Sequence, residues 1–266
     1  MIIEISSIES GARTNQPQES RKQLLPIQAW MAHHNNLLKE RKNTILPPDI
    51  LPYHSPTLAQ IIGDDRFQQE IQKNLFSAPK GSFMLDAGAG DGDLSFFLES
   101  FGYQVDMIDL PATNFNHMRV AHALKSELNS SVQIYEMDLD HSPQFPRKAY
   151  HAVFLLNVLY HLKNPNQLLE ALTKISRLCF LTTKVARTVP DKNTRIEHLP
   201  LAYLIDEGEI PEDSTNYWVF SETGLRRLFK RTGWETYYYA CRENTVDSDP
   251  VTRSGDERAF CILRRR

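Results

Sequence analysis

The chain has 266 residues, 41% of them hydrophobic and 24% charged, with a formal net charge of −3. This composition is typical of a soluble globular protein, and the length suits one large domain or one domain with a small appendage. The nearly balanced charge excludes a strong overall attraction to nucleic acid or to anionic membranes, although it allows a local basic patch.

Cysteine use and the N-terminal sequence predict a cytoplasmic protein. The cysteines are far apart and lack metal-binding spacing, so we expect buried free thiols at Cys179, Cys241 and Cys261. The N-terminus has neither a basic start nor an apolar core region, unlike a signal peptide, and the longest apolar run is too short to cross a bilayer. Adjacent His33 and His34 should point apart on a helix as solvent-exposed side chains, so no metal site is predicted.

The first 80 residues are predicted to form a helical cap behind a flexible lead. Residues 1–20 are polar and are expected to be poorly ordered. Residues 21–80 show helical spacing of apolar positions, with helices at 57–63 and 65–76, and are interrupted by prolines. This leaves residues 81–266 as the main domain.

From residue 81 the hydrophobic period alternates between strand and helix. Short apolar runs predict strands at about 83–87, 104–109, 132–137, 150–157 and 177–184. Helical spacing predicts helices at about 92–101, 114–128, 165–176 and 221–232. The alternation indicates a doubly wound α/β fold with a mostly parallel sheet, because such a sheet is covered by helices on both faces.

The end of the chain departs from this rhythm. Residues 234–243 and 257–265 are strand-like, and only a polar, turn-rich stretch joins them, which predicts an antiparallel pair at the sheet edge. Residues 185–220 show no strong helical or strand period and contain three prolines. A long loop inside a compact domain is usually functional, so this stretch is predicted to be a lid-like insertion.

The stretch 83-FMLDAGAGDGDLSFFLESFG-102 places a glycine-rich turn between a strand and a helix. A dinucleotide-binding turn has glycine at its first, third and sixth positions, whereas here the sixth position is Asp93. Together with Asp86 and Asp91, this residue would repel a pyrophosphate and attract a ligand with positive charge. S-adenosylmethionine, with its sulfonium and ammonium groups, fits such a site. The predicted cofactor-binding glycines are Gly88, Gly90 and Gly92.

Two further acids lie at predicted strand ends. Asp109 ends the second strand about 20 residues beyond the glycine turn, where an acid accepts hydrogen bonds from ribose hydroxyls. Asp138 ends the third strand and is predicted to accept a hydrogen bond from the adenine amino group, although Asp140 or Glu136 could be the acid that points inward. Leu110 and Leu139 are predicted to form the apolar walls of the adenine site.

These motifs resemble the successive motifs of class I S-adenosylmethionine-dependent methyltransferases. The resemblance rests on LDAGAGDG, Asp109, Asp138 and the stretch LLNVLYHLKNP, and it covers about residues 81–266, including the antiparallel C-terminal pair. It implies a seven-stranded Rossmann-like sheet and S-adenosyl-L-methionine as cofactor. The stretch 153-VFLLNVLYHLKNP-165 with 215-TNYW-218 also resembles a branch related to bacterial wobble-uridine tRNA carboxymethyl-transferring enzymes, whose neighbours include uncharacterised small-molecule methyltransferases.

The resemblance also implies roles for particular side chains. In this family the position of Asp86 orients the amino end of the methionine part, and Asn157 would contact the same part. Tyr160 and His161 would lie beside the methyl donor, where they could position or deprotonate an acceptor, and Lys184 is another candidate base. The N-terminal helices and the insertion are predicted to close over the acceptor with five aromatic residues: Trp30, Tyr53, Tyr203, Tyr217 and Trp218.

The predicted function is methyl transfer to an O, N or C nucleophile, with a small-molecule acceptor preferred over tRNA. Three alternatives stay open at this stage: a tRNA-modifying (carboxy)methyltransferase that uses a carboxylated donor, a non-catalytic S-adenosylmethionine-binding module, and a nicotinamide-dependent oxidoreductase. The last is disfavoured by the missing sixth-position glycine. The sequence does not identify the acceptor or the oligomeric state.

Overall fold

The computed structural model describes residues 27–53, 61, 65–191, 193–210, 214–243, 245–251 and 257–266. The predicted flexible lead lies outside these residues, as does the predicted helix at 57–63 apart from Ile61.

The described residues alternate between strands and helices from residue 83 onward. The helices are α1 (Ile27–Ile45), α2 (Asp65–Ser77), α3 (Asp93–Ser100), α4 (Arg119–Glu127), α5 (Pro165–Ile175) and α6 (Glu222–Arg231). The strands are β1 (Phe83–Ala87), β2 (Gln104–Asp109), β3 (Gln133–Glu136), β4 (Ala152–Leu156), β5 (Leu178–Ala186), β6 (Ala202–Leu204), β7 (Trp218–Ser221), β8 (Trp234–Arg242) and β9 (Arg258–Arg265). A single 3-10 turn, Leu159–His161, follows β4.

The central sheet has the strand order β3-β2-β1-β4-β5-β9-β8. Neighbouring strands from β3 to β5 run parallel, and β9 lies antiparallel between β5 and β8. Every residue of β4 and β5 is buried, as expected for strands covered on both faces. The predicted seven-stranded Rossmann-like fold and its antiparallel last strand are therefore confirmed.

Helices cover the two faces of this sheet in separate groups. On one face, α1 to α4 share a core that includes Met31, Leu38, Phe97 and Phe180. On the other face, α5 and α6 pack against Trp234 and the alternate residues of the strands. The N-terminal helix α1 is thus part of the main core.

The segment 185–220 contains more regular structure than its sequence indicates. Strand β5 extends to Ala186, and β6 and β7 pair antiparallel with each other. Strand β7 also joins the end of β5 in parallel, and a small apolar cluster lies beneath. The prediction of a stretch without regular structure was wrong because strands of three and four residues are too short to show a period in the sequence.

Helix α4 begins five residues later than predicted. The Asn114 side-chain oxygen accepts the backbone N–H groups of Asn116 and Met118 at 3.1 and 2.9 Å. His117 and Met118 adopt positive φ angles of 54° and 61°. An asparagine side chain that takes these N–H groups competes with helix formation, so residues 114–118 form a turn after β2.

Candidate cofactor and methyl-transfer site

The glycine turn connects β1 to α3 at the carboxyl edge of the sheet. Gly88, Gly90 and Gly92 have positive φ angles of 78°, 60° and 84°. A Cβ atom on Gly88 would lie only 2.2 Å from Cγ2 of Val158, which follows β4. Glycine is therefore needed at position 88 both for its backbone conformation and for the close packing of the turn against the end of β4.

Asp86 lies beneath this turn as a buried acid, 2% exposed. Its Oδ2 accepts a hydrogen bond of 2.7 Å from the Ser95 hydroxyl in α3. The pKa of Asp86 is raised to about 7, mainly by burial. Repulsion from Asp109 and Asp93 also raises it, whereas the Ser95 hydrogen bond lowers it. A cation that binds beside Asp86 would restore the carboxylate.

Asp109 joins the end of β2 to the glycine turn. Its Oδ2 accepts the Gly90 N–H at 2.6 Å, and its Oδ1 accepts the Leu110 N–H at 2.7 Å. The Asn114 amide donates to Oδ2 at 3.3 Å. Burial raises the pKa of Asp109, while these hydrogen bonds lower it. The predicted ribose ligand is thus at the rim of the turn, and its contact with ribose stays a prediction.

The other two acids of the turn are paired with a lysine of the chain. Lys42 of α1 donates to Asp91 Oδ2 at 2.8 Å and to the two oxygens of Asp93 at 2.9 and 2.8 Å. All three side chains are buried. The prediction that Asp91 and Asp93 attract a cationic ligand was wrong, because a lysine of the chain itself is already their cationic partner. Asp86 and Asp109 are the acids that remain at the site. Lys42 precedes them by about 50 residues, so no local motif links it to the turn.

The N-terminal segment also brings Tyr53 to the turn. A Cβ atom on Gly90 would lie 3.6 Å from Cε2 of the Tyr53 ring. The Tyr53 hydroxyl accepts the Phe115 N–H at 3.0 Å, and the Tyr53 N–H donates to Asp91 at 3.0 Å. Burial raises the pKa of Tyr53 to about 12. The sequence predicted Tyr53 as a cover for the acceptor, whereas the structure places its ring directly against the cofactor turn.

The predicted adenine site lies beyond β3. Asp138 is partly exposed, and its oxygens are 2.8 Å from the Asp140 N–H and 2.6 Å from His141 Nδ1. Burial alone would raise the pKa of Asp138, but these hydrogen bonds outweigh it and lower the pKa. Asp140 instead accepts the N–H groups of residues 163 and 164, and Glu136 is exposed. Leu139 is buried and Leu110 is partly buried, so Asp138 with these two leucines stays the predicted adenine contact.

Asn157, Tyr160 and Arg258 form a connected group after β4. Asn157 has a φ of 59°, a left-handed conformation that asparagine tolerates. Its Oδ1 accepts hydrogen bonds from the Thr182 hydroxyl at 3.2 Å and from Arg258 Nη1 at 2.9 Å. The same Nη1 donates to the Tyr160 hydroxyl at 3.0 Å. Sequence reasoning missed Arg258, which pairs with Lys184 across β5 and β9.

The insertion is attached to the predicted catalytic pair. The rings of Tyr160 and His161 are 4.2 Å apart between centroids. His161 Nδ1 lies 3.2 Å from the Thr215 carbonyl oxygen and 2.9 Å from its hydroxyl, and the Tyr217 N–H donates to the Tyr160 carbonyl at 2.8 Å. Lys184 is buried, with Nζ 5.8 Å from the Tyr160 ring centroid. The structure therefore brings Tyr160, His161 and Lys184 together with the insertion.

Two N-terminal side chains differ from their predicted settings. Trp30 packs against Phe101, whose position after α3 places it at the opposite edge of the sheet, so the prediction that Trp30 covers the acceptor was wrong. His34 is 8% exposed and packs against Phe97, whereas His33 is exposed as predicted. Burial lowers the pKa of His34 to about 4. The position of His34 on the inner face of α1 explains its burial.

The described residues contain no cluster of three His, Cys, Asp or Glu side chains arranged to hold a metal ion. None of the helices in the described ranges has the length and apolar character that a membrane crossing requires.

The sequence matches a known family model over more than half of its length. The family model described as a methyltransferase domain matches residues 60–239. No curated protein matches the sequence.

Solved structures share the fold at low sequence identity. The N-terminal domain of EvdMO1, crystallised with S-adenosylhomocysteine, aligns with a TM-score of 0.57 over 87% of this chain and 96% of its own, at 15% identity. An S-adenosylmethionine-dependent methyltransferase from Mesorhizobium loti aligns with a TM-score of 0.52 over 74% of this chain and 97% of its own, at 11% identity. One from Methanosarcina mazei aligns with a TM-score of 0.50 over 73% and 96%, at 18% identity.

Proposed function

Because the chain belongs to the methyltransferase domain family, we propose that it transfers a methyl group from S-adenosylmethionine to an O, N or C nucleophile of a small-molecule acceptor. The observation that supports this most directly is the arrangement at the carboxyl edge of the sheet. A glycine turn packed on Val158 has the buried Asp86 beneath it and Asp109 at its rim. Ligands of open α/β sheets bind at this edge.

The chemistry of these side chains fits the groups of the cofactor. Asp86 would bind the ammonium group of the methionine part, since a cation there would offset the burial that raises the pKa of this carboxyl group. Asp109 would accept a ribose hydroxyl, since a carboxylate has about four acceptor positions and three of them are used here. Leu110, Leu139 and Asp138 would contact adenine, and Asn157 the methionine part.

The cofactor supplies a methyl group that its sulfonium already activates, so the protein has mainly to align the acceptor in line with it. An acceptor that is not ionised also needs a base. When His161 Nδ1 donates to the Thr215 carbonyl, the lone pair resides on Nε2, which suits a general base near neutral pH. We propose that Tyr160, whose hydroxyl receives a hydrogen bond from Arg258, orients the acceptor beside it.

The distribution of basic side chains supports a small-molecule acceptor over tRNA. The basic segments of α1 and α6 lie on opposite faces of the sheet. Within them, Lys42 is buried between two aspartates, Arg41 pairs with Glu127, and Arg226 pairs with a glutamate of its own helix. Tight tRNA binding depends on many phosphate contacts from one basic surface, and these two segments do not form one.

Calorimetry with S-adenosylmethionine, S-adenosylhomocysteine and NAD tests the cofactor. We expect binding of the first two, whereas tight NAD binding without either of them would refute the proposal.

Transfer of a labelled methyl group to pools of small molecules and to bulk tRNA tests the acceptor. The proposal expects labelled small molecules and a loss of turnover in His161→Gln. Labelling of tRNA alone would select the tRNA alternative. Cofactor binding without any labelled product in cell extracts containing both classes would select the non-catalytic module.

A further inference from the structure

A buried ion cluster joins α1 to the cofactor turn. Lys42 is 5% exposed, Asp91 2% and Asp93 4%. The lysine makes hydrogen bonds of 2.8 to 2.9 Å to both aspartates. Burial raises the pKa of Asp93, and the charge of Lys42 opposes that rise. Two carboxylates this deep in a protein need a cation beside them, so Lys42 is essential to the charge balance of the turn.

Asp91 connects this cluster to residues on either side of the cofactor turn. One of its oxygens accepts both the Lys42 ammonium and the backbone N–H of Tyr53, at 2.8 and 3.0 Å. The other oxygen accepts the side-chain amide of Asn116 at 2.7 Å. Asn116 lies in the turn that follows β2, beyond Asp109. One carboxylate therefore fixes the N-terminal segment, the glycine turn and the loop after β2 relative to one another.

The position of Tyr53 gives this network a functional consequence. Its ring lies against Gly90, whose N–H is held by Asp109, the predicted ribose ligand. Its hydroxyl is bonded to the backbone of Phe115 in the loop after β2. The ring thus bridges the two loops between which the cofactor is proposed to bind.

We propose that Lys42 is a positioning residue of the cofactor site, which acts through Asp91 to hold the Tyr53 ring against the glycine turn as an outer wall for the bound cofactor. This inference rests on the proposed function. It assigns the N-terminal segment 27–53 a part in cofactor binding, whereas the sequence predicted only a part in covering the acceptor.

The test is calorimetric binding of S-adenosylhomocysteine to the full chain and to matched variants. Lys42→Met removes the charge at similar length, and Tyr53→Ala removes the ring but keeps Lys42. Each of these two variants should raise the dissociation constant for S-adenosylhomocysteine roughly tenfold. A change of this size is typical of losing one buried polar partner or one side chain that lines the site. Arg41→Met is the control, because the neighbouring Arg41 forms only an exposed pair with Glu127, and its dissociation constant should stay unchanged.

The double variant separates positioning from general destabilisation. If Lys42 acts through Tyr53, then Lys42→Met should weaken binding little further in a Tyr53→Ala background, because the two effects share one route. Full additivity of the two effects would overturn the proposal, as would unchanged binding in Tyr53→Ala. If Lys42→Met does not fold, Lys42→Arg takes its place, both in the unaltered protein and together with Tyr53→Ala. This variant keeps the positive charge but changes the length of the side chain that carries it. Failure of the unaltered protein to bind S-adenosylhomocysteine would instead refute the proposed function.

Discussion

Asp86 should make cofactor binding depend on pH. Binding of an ammonium group beside Asp86 favours the carboxylate, because the neutral acid cannot offset the positive charge. With a pKa of about 7, the ionised fraction of Asp86 rises from about one tenth at pH 6 to about nine tenths at pH 8. The affinity for S-adenosylhomocysteine should therefore rise about tenfold over this range, which corresponds to ~1.4 kcal/mol of binding free energy.

Calorimetry at several pH values, in buffers of different ionisation enthalpy, measures both the affinity and the protons released on binding. The unaltered protein should release about half a proton at pH 7, because a group with a pKa near 7 is half ionised there. Asp86→Asn should bind more weakly and should lose this proton release. Ser95→Ala removes the hydrogen bond that lowers the pKa of Asp86, so the rise in affinity should move to higher pH.

Equal affinity at pH 6 and pH 8, without proton release, would refute this reasoning. Asp86 would then either be ionised without a ligand or lie away from the bound cofactor. Retention of the full pH dependence in Asp86→Asn would show that another group titrates.

Three further predictions concern single side chains. Asp109→Ala should weaken S-adenosylhomocysteine binding by ~1.5–3 kcal/mol in calorimetry, the range for hydrogen bonds to a charged group, and unchanged affinity would show that another residue holds the ribose. Gly88→Ala should unfold at lower denaturant concentration than Gly208→Ala, because both have positive φ but only the former collides with Val158, at 2.2 Å. The folded pKa of His34 is about 4, below its unfolded value, so the unfolded state binds more protons between pH 6.5 and pH 4. Over that fall in pH, denaturant titration should show that the protein loses ~3 kcal/mol of unfolding free energy relative to His34→Leu; an equal slope in both proteins would contradict the burial argument.

The parts of the fold that could be predicted are those that leave a local pattern. Strands β1 and β2 have the predicted ends because each apolar run stops at a turn, and the C-terminal pair follows from two strand-like runs without a helix between them. Strands β6 and β7 escaped prediction because so few residues show no period. The late start of α4 reflects the hydrogen bonds of the Asn114 side chain, which hydrophobic spacing does not register.

The same distinction applies to the candidate site. Asp86 and Asp109 were predicted because they lie at fixed distances from the glycine turn in the sequence. Lys42 and Arg258 were not, since their partners are distant in the sequence and any of the chain's many basic residues could have filled these positions. The sequence pattern identifies the acids of the turn correctly. It does not give the charge of the turn in the folded protein, because the cation that pairs with two of these acids, Lys42, comes from α1.

The role of α1 in the core changes what a truncation should do. If the N-terminal helices only covered the acceptor, removing residues 1–60 would abolish transfer and leave cofactor affinity largely intact. Met31 and Leu38, however, are fully buried against the main domain, and the cut would also leave Asp91 and Asp93 without Lys42.

Each exposed core side chain costs about 1.5–3 kcal/mol, and an unpaired buried charge about 3–5 kcal/mol, which together approach the 5–15 kcal/mol that stabilises a typical domain. We therefore expect the protein lacking residues 1–60 to lose cooperative thermal unfolding and S-adenosylhomocysteine binding together. Removal of residues 1–20, the predicted flexible lead, is the matched control and should preserve both. A folded protein that lacks residues 1–60 and binds S-adenosylhomocysteine with unchanged affinity would show that α1 is an appendage, because neither its core contacts nor Lys42 would then be needed by the cofactor turn.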